Sequence, residues 1–364
     1  MKKFLQLHIL TDYAPSNPNR GEDSLPKTAI YGGKTRLRIS SQSLKRTWRT
    51  SSAFETIAKQ GNRGERTKRL GLQVHDDLIE GGVDAKKAFD WAKKIAGQFG
   101  KNAKKSKDDK LAELQIEQLV HISPRERARL DEIVAALIAR KDEKAKELDK
   151  WLTSELESVL GQDHMAADIA MFGRMLASDT NNNVEAAVQV AHALTTHAVV
   201  IEDDYFTAVD DLNQDESGAA FIGHNRFSSG LFYIYVNIDL EQLIENLGGD
   251  TDLAQDTLES LTRACLTTTP SGKQNSYGSR TYAHYALAEL SSLQPRQLSL
   301  AFHQPVSTAA ALTESRQRLR DVRDKMNAAY NITSEELTDC ELSPLDGVGS
   351  LNEFVAFARQ GVTA

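Results

Sequence analysis

Two periodicities meet between Lys27 and Arg49, where the chain reads KTAIYGGKTRLRISSQSLKRTWR. Arg36-Leu37-Arg38-Ile39-Ser40 alternates polar and apolar at the period of a half-buried strand, which predicts Leu37 and Ile39 inward and Arg36 and Arg38 together on the outer face. From Ser41 the apolar spacing changes to that of a helix, with Leu44, Trp48 and Ser52 on its buried side. This helix is predicted to reach about Gln60, with Ser40 or Ser41 as its cap. The paired glycines of Tyr31-Gly32-Gly33-Lys34 predict a turn with positive φ and room for a ligand beside the main chain.

The same stretch carries seven Lys or Arg and no Asp or Glu, in a chain of formal net charge −7. Charge runs are most often solvated faces. Here the absence of acidic residues and the Ser40-Ser41-Gln42-Ser43 cluster at the helix start favour a ligand with several phosphates. Helix N–H groups set among cations make an anion site. The expected phosphate contacts are Lys27, Lys34, Arg36, Arg38, Lys45, Arg46 and Arg49, with Ser40 and Gln42 fixing register by hydrogen bonds and Arg20 within reach from the preceding loop. Four to seven such contacts on a single strand would give a salt slope of roughly −3 to −5.

The rest of the chain reads as alternating strands and helices. Leu5, Leu7 and Ile9 mark a strand over residues 4–10, and Thr11 to Pro26 is a loop by composition. Residues 61–160 form an inserted helical segment. Ala85, Phe89, Ala92, Ala96 and Phe99 follow helical spacing, and Ser123-Pro124-Arg125-Glu126 opens a further helix with a capping box. Lys141, Lys144, Lys146 and Lys150 lie among Asp142, Glu143, Glu147 and Asp149, which reads as a solvated face. A buried strand is predicted over 166–172 around Ile169 and Met171, then a turn and a helix from Val184 to His197. Further strands are predicted over 231–238 and 281–287, and a helix from Asp239 ends at Gly248-Gly249. Strands near 4–10, 36–40, 166–172, 231–238 and 281–287 with helices between them fit an α+β fold with an antiparallel sheet. From Thr195 to Thr262 the chain holds fourteen acidic residues and one basic residue, Arg226, a field unsuited to lying along a phosphate backbone.

The run from Ala29 to Arg46 resembles the N-terminal signature of the CasC backbone-subunit family of the type I-E CRISPR Cascade complex, within the RAMP superfamily. Collinear agreements follow at Gly173-Arg174-Met175, Ala191 to His197, Phe206 to Leu212, Phe227 to Gly230 and Arg280 to Ala283. The resemblance implies a ferredoxin-like, RRM-like palm from residues 1–60 and 161–364, helical fingers at 61–160, and a thumb near 199–229. It implies a scaffold that is not an enzyme and needs no metal or cofactor. Its partners would be CRISPR guide RNA, target DNA paired to that guide, further copies of the chain, other Cascade subunits and a recruited nuclease-helicase. Arg20 and Lys27 would lie near the guide, with Arg174 on a phosphate and Met175 against bases. Tyr205, Phe206, Asp210 and Asp211 would lie in the thumb that meets the neighbouring copy. The chain departs from the family pattern at Asn275 to Ser279, extra residues between Lys273-Gln274 and Arg280-Thr281-Tyr282.

The strongest rival is a RAMP-type RNA endonuclease using a histidine base, or an aspartate with a metal. His192 and His197, five apart on the predicted helix, do not share a face. The adjacent pairs Asp203-Asp204 and Asp210-Asp211 diverge rather than converge. Gly32-Gly33-Lys34 lacks the spacing of a phosphate loop. Cys265 and Cys340 alone cannot build a disulfide framework, which fits a reducing cytoplasm. No membrane span is expected, and Met1-Lys2-Lys3 with Phe4 to Leu10, which imitates a signal peptide, is read as a strand because Gln6 and His8 interrupt a run already too short and no small-residue cleavage site follows.

Overall fold

The computed structural model describes residues 4–160, 166–176, 180–208 and 221–363. In chain order the elements begin with β1 (Phe4–Ser16), β2 (Thr28–Tyr31), β3 (Lys34–Ile39), α1 (Ser41–Arg49) and α2 (Glu55–Lys59). Next come β4 (Glu65–Thr67), α3 (Leu70–Glu80), α4 (Ala85–Phe99), β5 (Val120–Ile122), α5 (Pro124–Ala139), α6 (Ala145–Glu157) and α7 (Ala167–Phe172). The strands β6 (Val188–Val190), β7 (Ala193–Thr195), β8 (Glu202–Ala208) and β9 (Phe221–Asp239) precede α8 (Leu240–Asn246), α9 (Thr251–Thr267) and α10 (Gln274–Tyr277). The chain closes with β10 (Tyr285–Ser291), α11 (Ala311–Ala329), β11 (Leu337–Leu342) and α12 (Leu351–Thr363).

The protein is α+β, and its main sheet is antiparallel throughout. The strand order is β11-β10-β1-β9-β7-β3-β2, with β6 and β8 also paired to β9. Contacts divide the chain into two compact units, one of residues 1–55, 188–240 and 255–364, the other of 56–187 and 241–254.

In the first unit β1 is buried on both faces. Leu5, Leu7 and Ile9 share one face, as expected. On the other, Leu10 joins Tyr233, Tyr285, Leu287, Phe302 and Leu319 of α11 in a second core. The strand runs on to Ser16 because Tyr13, packed edge-on against Phe232 at 5.3 Å, keeps pairing β9 through Gly230. The predicted loop from Thr11 is therefore strand for its first part.

The other unit has a core of its own, built by α3 to α6. Leu70, Val74, Trp91, Ile95, Leu130, Ile133, Leu137, Leu148 and Leu152 are all buried in it. Ser123 and Glu126 complete the predicted capping box, and Glu126 is buried there.

Three sequence expectations are corrected. The helix from Ser41 stops at Arg49, since the hydroxyls of Thr50 and Ser51 bond back to the carbonyls of Arg46 and Trp48 and end it. Ser52 is exposed in the turn that follows, and Ser51 is the buried residue. Residues 167–172 are helix, not strand. A six-residue apolar run fits either period, and Gly173 at φ 77° closes this one as a helix. Residues 184–197 are two short strands instead of a helix, because β6 and β7 pair with β9, and that long-range pairing overrides the helix propensity of Glu185 to Ala187.

A candidate nucleic-acid interface

The hairpin β2–β3 closes through Gly32 and Gly33 at φ 58° and 72°, between the paired residues Tyr31 and Lys34. This is the two-residue turn that needs left-handed backbone at both positions. The close approach at Gly32 is to the protein itself. A Cβ there would stand 1.6 Å from the carbonyl oxygen of His303, so the glycine admits a neighbouring backbone where a ligand was expected.

Leu37 and Ile39 are buried as the alternation requires, but Arg36 turns inward as well and is 0% exposed. Its Nη1 donates to the Thr195 carbonyl at 2.9 Å and its Nη2 to the Phe302 carbonyl at 2.8 Å, and its guanidinium lies 5.9 Å from the Tyr31 ring centroid. Burial lowers its pKa, opposed by Tyr31. Arg36 is therefore a core cation whose two Nη atoms are held by carbonyls, its buried Nε having no partner among the described residues, and it is removed from the set of surface phosphate contacts.

Where β3 gives way to α1, Ser40 caps the helix. Its hydroxyl accepts from Ser43 N at 3.4 Å, its own N–H donates to Asn19 Oδ1 at 2.9 Å, and Ser41 N donates to His192 Nδ1 at 3.0 Å. These bonds already occupy two N–H groups at the start of α1, and Ser40 is buried. The helix start is thus a tied junction in place of the expected open anion site, and Ser40 acts as a cap, not as a ligand contact. His192 sits near Arg38 and Lys27, and its pKa is lowered by burial first and then by those two charges.

The remaining cations surround this junction. Lys34, Arg46 and Arg20 are exposed, while Lys27, Arg38, Lys45 and Arg49 are partly buried, with Gln42 exposed among them. Burial lowers the pKa of Lys45.

Beside α1 opens a cleft of about 1190 Å³. Arg20, Arg46 and Arg280 line it together with eleven Ser or Thr residues, and no Asp or Glu does. One wall is Thr267 to Gly272, another Arg280 to Tyr282, and a further side is α1 from Ser43 with Thr50, Ser51 and Ser52 just after it. Sequence reading missed this wall. The hydroxyl-rich run Thr267-Thr268-Thr269-Pro270-Ser271 was a visible signal, but nothing local tied it to Arg46. Within the predicted loop 273–280, Gln274–Tyr277 is a short helix, and Lys273 Nζ donates to Asn225 Oδ1 at 2.6 Å.

Arg174 and Met175 belong to the other unit. Arg174 is buried: its Nη1 reaches Glu126 Oε1 at 2.6 Å and Oε2 at 2.8 Å, and its main chain pairs with Val184. The expected phosphate contact is therefore a structural ion pair. Met175, directly after it, is 72% exposed. In the same unit, buried Asp168 accepts from Gly64 N at 2.8 Å and pairs with His121 at 2.9 Å, which holds this histidine in a structural bond.

The first part of the acidic segment pairs as β8 and β9, every residue of β8 being exposed, and its second part continues into α8 and α9. Tyr205 stands 5.4 Å from His224, Phe206 stands 6.0 Å from Phe221, and Arg226 is paired with Asp203 at 2.5 Å. Asp210 and Asp211 lie outside the described residues. His192 and His197 sit beside and beyond β7. His197 Nε2 accepts from Leu231 N, and its Nδ1 bonds the Ala198 carbonyl. Among the described residues no group of three or more His, Cys, Asp or Glu could hold a metal ion, and no helix is long and apolar enough to cross a membrane.

Comparison with solved structures finds this fold in a chain of a "CRISPR RNA-guided surveillance complex, pre-nicking". That chain is 27% identical with a TM-score of 0.79, over 99% of both chains. A chain of another "CRISPR RNA-guided surveillance complex", 22% identical over 99% of this chain and 98% of that one, has the same fold at a TM-score of 0.60. No curated protein matches the sequence. A family model described as "CT1975-like protein" aligns with residues 5–346, and on that near-complete match this chain belongs to the CT1975-like protein family.

Proposed function

We propose that the chain is a non-catalytic, guide-RNA-binding backbone subunit of a Cascade-type CRISPR surveillance complex, of type I-E. The observation that carries this reading is the end-to-end similarity, at 27% identity, to a chain of such a complex. The surface chemistry agrees with it. Lys27, Lys34, Arg38, Lys45, Arg46 and Arg49 gather on one hairpin-to-helix junction without an acidic residue among them, and the neighbouring cleft adds Arg20 and Arg280. Such contacts grip a phosphate backbone without reading sequence, as a guide with variable spacers requires. Bases left outward then pair with target DNA, and Met175, exposed on the other unit, offers an apolar contact to bases.

In this reading the first unit is an RRM-like palm, the helical unit the fingers and the β8–β9 hairpin a thumb. The hairpin's acidic residues and its exposed Tyr205 and Phe206 dock on basic surface of the next copy. That contact is heterologous, so copies line up head to tail along the RNA in the cytoplasm, where other Cascade subunits and a recruited nuclease-helicase join them.

The test is the salt dependence of RNA affinity. With Arg36 removed from the set, about four to six phosphate contacts give a slope of roughly −3 to −4 on single-stranded RNA. A slope near zero contradicts the reading. RNA shortened during the titration would favour the endonuclease instead.

A further inference from the structure

We propose that the cleft beside α1 holds a ribose of the bound strand through its 2′-hydroxyl and so makes the chain prefer RNA to DNA of the same sequence. This rests on the guide-RNA reading and adds to it the sugar chemistry that the site selects.

Three observations carry it. First, the lining is uncharged except for Arg20, Arg46 and Arg280, and is otherwise dominated by Ser and Thr hydroxyls. Arginines suffice to hold the flanking phosphates, and a wall of hydroxyls is more than phosphates need. Second, both helices that border the cleft end at it: α1 stops at Arg49 beside Thr50 and Ser51, and α9 stops at Thr267 beside Thr268. Helix C-termini present partially negative carbonyls, which disfavour an anion and favour a hydroxyl that can donate. The 2′-hydroxyl both donates and accepts, and it is the group that DNA lacks. Third, the hydroxyls on the two helix ends and on the Thr267 wall differ in their engagement. Those of Thr50, Ser51 and Thr267 bond to carbonyls of their own helices. Among the described residues, no intramolecular hydrogen bond engages those of Thr268, Thr269 or Ser271. Tyr282, 70% exposed at the rim, offers a ring face to the base attached to the held sugar.

The experiment measures affinity of the full chain for three strands of one sequence, RNA, DNA and 2′-O-methyl RNA, at fixed salt. It compares the unaltered protein with Thr268→Val/Thr269→Val/Ser271→Ala and with Arg46→Ala. The unaltered protein should prefer RNA to DNA by about tenfold, taking roughly threefold to tenfold per hydrogen bond to the sugar, with the 2′-O-methyl strand weakened toward DNA. The triple variant should lose that preference while its DNA affinity stays the same, and Arg46→Ala should weaken all three strands alike. Equal binding of RNA and DNA by the unaltered protein, with a normal salt slope, overturns the inference and leaves the guide-RNA reading standing. So does an unchanged preference in the triple variant. Absence of salt-dependent RNA binding overturns both. The modified strands probe the unaltered protein, so a variant that fails to fold does not protect the inference.

Discussion

Replacing Arg174 with leucine separates the structural role found here from the phosphate role its position suggested. The guanidinium and the Glu126 carboxylate are 1% and 4% exposed, and one nitrogen lies within 2.8 Å of both carboxylate oxygens. Glu126 Oε2 also accepts from Ser123 N at 2.8 Å, so the carboxylate serves the ion pair and the start of α5 at once. Arg174→Leu leaves a buried carboxylate without its cation, at a cost of about 3–5 kcal/mol. Glu126→Leu strands the cation at a similar cost, and loses the capping bond, worth about 0.5–2 kcal/mol more. The double variant buries neither charge, so its cost should fall short of the sum by about 2–3 kcal/mol. Urea unfolding gives the stabilities, and hydrogen exchange of the α5 amides shows whether the loss is centred in that unit. Additivity within about 0.5 kcal/mol would refute the reasoning. The functional half of the prediction is that Arg174→Leu leaves the salt slope of RNA binding unchanged. A slope smaller by about 0.7 would mean that Arg174 reaches a phosphate after all.

Arg36→Met should destabilise the protein by about 2–4 kcal/mol in urea, since two buried carbonyls lose their donors, yet leave the salt slope intact. A reduced slope would return Arg36 to the interface. Lys45→Ala with Arg46→Ala should weaken binding of every guide sequence alike and reduce the slope by about 1.4, whereas loss confined to one sequence would show base reading. His192 has a folded pKa below its ordinary 6.5, so the folded state binds fewer protons than the unfolded one. Stability should therefore fall as pH drops through 6.5 toward the folded value. The fall should be smaller in His192→Gln, and identical profiles would contradict it. Gly32→Ala should disrupt the β2–β3 hairpin, since its Cβ meets the His303 carbonyl. Gly33→Ala, with open space around it, should cost only the left-handed backbone, about 1 kcal/mol, and similar melting of the two variants would reject this.

The junction was legible because its signals are local. Alternation placed Leu37 and Ile39 inside, and the hydroxyl cluster narrowed the cap to Ser40 or Ser41, of which Ser40 serves. The inward turn of Arg36 was not legible. Alternation assigns it a face but does not say that the turn at Phe302 covers that face. The missing acidic partner that suggested RNA is explained for Arg36 by backbone carbonyls far along the chain. Arg174 misled in the same way, since its partner Glu126 is 48 residues earlier, in a capping box read only as a helix start. Segments 167–172 and 188–195 exchanged their predicted types because both are short, and tertiary pairing decides such runs. The cleft depends on Thr267 to Ser271 and Arg280 lying beside Arg46, which no spacing encodes.

A backbone subunit of the proposed kind assembles in several copies on an intact guide. Size-exclusion chromatography with light scattering, run with and without CRISPR guide RNA while the RNA is checked for cleavage, reads both properties at once. The expected result is a multi-copy complex on full-length RNA whose mass rises with guide length. A complex limited to one chain per RNA, or RNA cut during the run, would contradict it.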